Sequence, residues 1–211
     1  MTVAVLSGGA SRRMGTNKSL VELDGKPLIQ HVLERVRRLN APVLLVTNRP
    51  DQYSRFQVAM VSDIVPGKGS MGGIYSALMN STTRFTLCVA CDMPFLNIDL
   101  LTYLLSLRTG FDAVVPMIDG QPQGLHAVYH RRCAGPIREL MDRNELRITG
   151  LFDHLRVRLV GEAAIRTIDP ELRSFTNLNT PEELARARRE VSEKLPPTSV
   201  IPIVNLPHRQ P

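Results

Sequence analysis

Thr2-Val3-Ala4-Val5-Leu6-Ser7-Gly8-Gly9-Ala10-Ser11-Arg12-Arg13-Met14-Gly15-Thr16-Asn17-Lys18 opens the chain. Its first five residues are apolar and favour β structure, so they read as a strand buried on both faces. After Leu6 the character changes at once. Small residues and glycines let backbone N–H groups approach an anion, and Arg12, Arg13 and Lys18 supply positive charge beyond them. A buried strand that runs into such a loop predicts an α/β protein that holds a polyphosphate, and so a nucleotide.

The loop is neither of the two common phosphate loops. A Walker loop needs Gly-Lys-Ser/Thr in sequence, whereas Thr16 and Asn17 separate Gly15 from Lys18. A dinucleotide loop needs G-x-G-x-x-G directly after the first strand, and here Gly8 and Gly9 are adjacent. That second pattern does occur later, at Gly67, Gly69 and Gly72, with Asp92 twenty residues on. There, however, Asp63 and Pro66 stand between the preceding strand and the glycines, so the tight strand–turn–helix is missing.

Working outward, strand-like and helix-like runs alternate. Strands are expected at Thr2–Leu6, Val43–Thr47, Gln57–Val61, Phe85–Ala90, Ala113–Met117, Leu125–Tyr129 and Val157–Val160. Helices are expected at Pro27–Leu39, Gly73–Met79, Asp99–Leu107 and Cys133–Arg143. A last helix starts at the capping box Thr180-Pro181-Glu182-Glu183 and runs to about Glu193. Continuous rather than alternating apolar strands imply a parallel sheet with helices on both faces. The turn at Asp119-Gly120 sends Leu125–Tyr129 back beside its predecessor as a short antiparallel part. The reading is one three-layer, Rossmann-like α/β domain over residues 1–194. Residues 195–211, with five prolines, form an extended or disordered tail.

Composition bounds the function. The 211 residues are 43% hydrophobic and 22% charged, which is globular. No apolar run approaches ~18 residues, so no membrane span is expected. The net charge is +6, but the basic residues are scattered and aromatics make up only 5% with no Trp, which speaks against nucleic-acid binding. Cys88, Cys91 and Cys133 are odd in number and read as reduced structural thiols, in keeping with the cytoplasm. His126, in a strand-like run, reads as a satisfied core histidine.

Asp92 follows the buried run Phe85–Ala90, so it points into the crevice where α/β sheets bind ligands. A carboxylate there suits Mg²⁺, which takes one or two carboxylates and completes its shell on substrate phosphates. Asp63 follows the strand Gln57–Val61, and a carboxylate can accept from both N1–H and N2–H of guanine. Asn177 and Asn179, two apart in an extended segment, share a side and offer carboxamide donors and acceptors to a ligand.

The stretch Leu6–Lys18 with Leu20–His31, the Cys91-Asp92-Met93-Pro94 tetrad and Phe175–Leu184 together resemble the nucleotidyltransferases that build nucleoside diphospho products. The resemblance is to the molybdenum cofactor guanylyltransferase branch and spans roughly residues 1–190. It implies that Leu6, Ser7, Gly8 and Gly9, with Arg13 and Lys18, hold the triphosphate of GTP. It implies that Asp92 holds Mg²⁺ against the α-phosphate, and that Asn48 and Asp63 contact the nucleoside. Asn177 and Asn179 would face the molybdopterin acceptor; sugar-phosphate relatives often carry a metal-binding Asp in that region. The implied reaction is GMP transfer from GTP to the cofactor's phosphate, with loss of pyrophosphate, catalysed by Arg13, Lys18 and Asp92. Other proteins of cofactor assembly, or acceptor molybdoenzymes, are the further partners it implies. Three alternatives stand beside it: a cytidylyltransferase of the same family, a Rossmann oxidoreductase using the second glycine loop, and a nucleotide-binding module without catalysis.

Overall fold

The structure, a computed structural model, describes residues 1–8, 17–178 and 180–194. In chain order the elements are β1 (Thr2–Leu6), β2 (Glu22–Leu23), β3 (Lys26–Pro27), α1 (Leu28–Arg37), β4 (Val43–Val46), β5 (Ala59–Val61), α2 (Gly69–Asn80), β6 (Phe85–Ala90) and α3 (Ile98–Ser106). The second half adds β7 (Ala113–Ile118), β8 (Gln121–Pro122), β9 (His126–His130), α4 (Ala134–Asp142), α5 (Ile148–Leu151), β10 (Val157–Val160), α6 (Glu162–Arg166) and α7 (Pro181–Lys194).

The main sheet runs β10-β7-β9-β6-β1-β4-β5, with β8 paired to β7. β1 pairs in parallel with both β4 and β6, β4 with β5, and β7 with β10. β9 lies antiparallel between β6 and β7, which is the expected returning strand. All five residues of β1 are buried, as a central strand covered on both faces must be.

Apolar spacing decides which face each helix buries. α1 turns Leu28, Ile29, Val32, Leu33 and Val36 inward; with α3 it covers one side of the sheet, against Val3, Val5, Leu87 and Val89. α2 and α4 cover the other side, over Ala4, Leu6, Cys88 and Ala127. Asn97 caps α3, its Oδ1 accepting from the amides of Asp99 (2.9 Å) and Leu100 (3.2 Å).

Several elements differ from expectation. α2 begins at Gly69 rather than Gly73. Its glycine-rich first turn has poor intrinsic propensity, yet Met71 is fully buried and a Cβ on Gly73 would sit 3.7 Å from Leu6, so packing decides. The strand expected from Gln57 starts at Ala59, because Pro50–Phe56 forms a 3₁₀ segment that ends on Gln57 with φ +48°. The short helices α5 and α6 are too brief to carry a periodic pattern. The tail from residue 195 lies outside the described residues.

Candidate active site

From β1 the chain moves outward to β4 and β5, then returns to β6 on the opposite side of β1. This reversal opens a crevice beyond the carboxyl ends of β1 and β6, where doubly wound sheets bind ligands. The amide of Cys91 donates to the carbonyl of Leu6 at 3.2 Å, so the two strand ends meet there. Ser7 leaves β1 and Asp92 leaves β6 at this point. Lys18 stands on a 3₁₀ turn, Lys18–Leu20, capped by Asn17. Its charge reaches both Cys91 and Asp92.

Burial holds the Asp92 carboxyl above the usual carboxylate value; its backbone hydrogen bond and Lys18 act against this, and the charge of Glu183 adds to it. A half-buried carboxylate with a second acidic charge nearby is a place where a divalent cation is favoured. Among the described residues no three His, Cys, Asp or Glu side chains converge to hold a metal. One carboxylate suffices for an ion that takes most of its shell from phosphate and water, as Mg²⁺ does. The Cys91 thiol is pushed up to about 12, first by burial and then by Asp92, so it is not a thiolate nucleophile.

The nucleoside candidates also come together. Asn48, just past β4, and Asp63, just past β5, bind each other through the Asn48 Nδ2 donor to Asp63 Oδ2 at 2.7 Å and the Asp63 amide to Asn48 Oδ1 at 2.9 Å. Gly73, on α2, approaches the end of β1, where a Cβ would lie 3.7 Å from the Leu6 side chain. Lys68 fastens the second glycine loop to the end of α4, donating to the Met141 carbonyl at 2.9 Å and to Asn144 Oδ1 at 3.2 Å. This loop follows the edge strand β5, not a central one, so it is no dinucleotide turn.

On the acceptor side, the amide of Leu178 donates to the Asp92 carbonyl at 3.1 Å, which brings Asn177 to the crevice. Asn177 Oδ1 is buried without a partner within the described residues. The capping box forms as expected: the Thr180 amide reaches Glu183 Oε2 at 3.0 Å and the Glu183 amide reaches Thr180 Oγ1 at 3.1 Å. Gly9, Arg13 and Asn179 lie outside the described residues. The influence of Glu183 on Asp92 was not readable from the chain, since its capping role explains it fully in one dimension. Neither was Tyr53, a buried tyrosine whose hydroxyl meets Ser7, Asn17 and Ser19.

Residues 3–157 match the MobA-like NTP transferase domain. The chain belongs to the MobA-like NTP transferase family. It is 34% identical over 193 residues to the molybdenum cofactor guanylyltransferase of Desulfosudis oleivorans, covering 90% of this chain and 96% of that one. It is 36% identical to a probable molybdenum cofactor guanylyltransferase of Methanothermobacter thermautotrophicus, over 87% of this chain and 96% of that one. Among solved structures it matches the molybdopterin-guanine dinucleotide biosynthesis protein A of Archaeoglobus fulgidus. There the TM-score is 0.81 at 33% identity, covering 92% of this chain and all of that one.

Proposed function

We propose that this enzyme binds GTP with Mg²⁺ and transfers GMP to the phosphate of the molybdenum–molybdopterin cofactor. The observation that carries the reading is the convergence of Lys18 and Asp92 at the switch point of a MobA-like domain. An oxygen of the acceptor phosphate attacks the α-phosphorus and forms the new P–O bond. The bond to the β-phosphate breaks, and its electron pair leaves on pyrophosphate. Acceptor and donor are both phosphates, so no protein nucleophile is needed, and positioning with charge neutralisation suffices. Mg²⁺, held by Asp92 and phosphate oxygens, would draw charge from the α-phosphate. Lys18 offsets the charge that develops on the leaving pyrophosphate, aided by Arg13 and by the amides of Gly8 and Gly9. Asn48 aims Asp63 at guanine, while Asn177 and Asn179 hold the acceptor.

The proposal places the reaction in the cytoplasm. Three free cysteines support a reducing compartment, and no described helix is long and apolar enough to cross a membrane. Proteins that supply or receive the cofactor are its further partners, with no role for nucleic acid. The test incubates the protein with molybdopterin cofactor, Mg²⁺ and each of GTP, CTP, ATP and UTP. The dinucleotide and pyrophosphate are then quantified. GTP alone should yield both in equal amounts. Turnover with CTP instead would move the enzyme to the cytidylyl branch, and no product with any triphosphate would refute transfer.

A further inference from the structure

Tyr53 stands in the 3₁₀ segment between β4 and β5 and is 1% exposed. Its ring packs against Phe56, with centroids 6.2 Å apart. Its hydroxyl lies 2.5 Å from Ser7 Oγ, 2.8 Å from Asn17 Nδ2 and 2.6 Å from Ser19 Oγ. Ser7 comes just before the glycine loop, while Asn17 and Ser19 come just after it. One hydroxyl in the core thus gathers both ends of the segment read as the triphosphate loop.

Proton counting assigns a direction to every bond. Ser19 Oγ donates its only proton to Asn17 Oδ1 at 2.8 Å, because that oxygen can only accept. Ser19 must then accept from Tyr53. With its own proton spent, Tyr53 Oη accepts from Asn17 Nδ2 and from Ser7. The other Asn17 amide hydrogen goes to Gln52 Oε1 at 2.5 Å. The result is one directed chain, from Ser7 through Tyr53 and Ser19 to Asn17. It starts at Ser7, just past β1, and ends at the residue that caps the Lys18 turn, where Asn17 Oδ1 also accepts from the Ser19 amide at 3.3 Å. Each bond in such a chain polarises the next.

We propose that Tyr53 is a positioning residue for nucleotidyl transfer: its hydroxyl pins both ends of the glycine loop and thereby sets Lys18 against the phosphates. The inference rests on the proposed function for what those phosphates belong to. Removing the hydroxyl strands two donors and one acceptor while leaving the ring in the core. A small displacement of Lys18 should then cost on the order of 10²-fold in rate.

The test is a double-mutant cycle of wild type, Y53F, K18M and Y53F/K18M. Melting temperature, triphosphate affinity and rate at saturating GTP are measured per folded protein. Y53F should keep a cooperative fold and lose at least tenfold in rate. In the K18M background the same change should cost less than about twofold, because Tyr53 acts through Lys18. A rate and triphosphate affinity within twofold of wild type in Y53F overturns the proposal, as do multiplicative losses across the cycle. Should Y53F fail to fold, S19A removes the acceptor of the Tyr53 proton without touching the ring, and it carries the same expectations. If wild type binds a triphosphate but transfers nothing, it is the proposed function that fails, and the cycle is then judged on triphosphate affinity.

Discussion

Asn48 and Asp63, fifteen residues apart, hold each other by two hydrogen bonds at the ends of neighbouring strands. The pairing follows from register: Val46 stands opposite Val61 in the parallel ladder, and the Thr47 amide donates to the Val61 carbonyl at 2.9 Å. One carboxylate oxygen of Asp63 is thus committed to Asn48, which fixes the direction in which the other is presented.

The expected consequence is base selectivity. Asp63→Ala should weaken GTP about tenfold or more relative to ATP, since a hydrogen bond to a charged group contributes about 1.5–3 kcal/mol. Asn48→Ala should act in the same direction and more weakly, because it leaves Asp63 charged but unaimed. Titration of both triphosphates against each variant checks this, and an unchanged GTP-to-ATP ratio in Asp63→Ala removes the carboxylate from the base site.

Asp92→Asn should separate catalysis from stability. The amide cannot replace a carboxylate in holding Mg²⁺, so pyrophosphate release should fall on the order of 10²-fold or more, with triphosphate binding still measurable. Stability should move the other way. Burial raises the folded pKa of Asp92, so the folded state keeps its proton longer than the unfolded state. Its ionisation therefore costs stability as pH rises from the ordinary carboxyl range through the folded value, and the cost persists at neutral pH. Without metal, Asp92→Asn should melt higher than wild type at pH 7.5, and the gap should close under acid. A variant that melts lower at pH 7.5 contradicts the argument.

Much of this was legible in the chain, and for identifiable reasons. Thr2–Leu6 and Phe85–Ala90 are mostly apolar, β-favouring runs without polar alternation, the pattern of central strands, and Ser7 and Asp92 follow their ends. The capping box at Thr180 is a local pattern, and it forms with both reciprocal bonds. What escaped depends on contacts distant in sequence. Tyr53 reads as one more apolar residue until β4 and the 3₁₀ segment bring it under Ser7 and Asn17. The glycines from Gly69 read as loop because their helical turn is held by Met71 and Leu6 rather than by propensity. His126 reads as a satisfied core histidine, yet neither ring nitrogen has a partner among the described residues.

Gly124 shows how tightly the far side is closed. A Cβ there would lie 2.5 Å from Ile148 Cγ2, and its carbonyl accepts from the Tyr129 hydroxyl at 2.7 Å. Ile148 is β-branched and on a helix, so it cannot rotate clear. Gly124→Ala should destabilise by about 1–3 kcal/mol, and adding Ile148→Ala should recover part of the loss. Urea denaturation of the two singles and the double decides. A double variant that shows the full sum of both losses would mean the clash is relieved elsewhere.

His126 gives the protein an acid-sensitive core. It is fully buried on β9, with its ring 4.5 Å from that of Phe175. Burial lowers its pKa from the ordinary 6.5 to about 4, against the opposing charge of Asp169. Above pH 6.5 the ring is neutral in both folded and unfolded chains and stability is indifferent to it. Between 6.5 and 4 the unfolded chain takes up a proton that the folded one refuses, so stability falls as pH falls. Over the full window the loss is roughly 3 kcal/mol at 1.36 kcal/mol per unit. His126→Leu, close in volume and without nitrogens, should match or exceed wild type at pH 7.5. Its advantage should grow steadily at pH 6 and 5, where urea midpoints of the two proteins are compared. Because every other titrating group is common to both, the difference isolates this one ring. Midpoints that stay parallel from pH 7.5 to 5 would mean that His126 finds a proton-accepting partner in the fold.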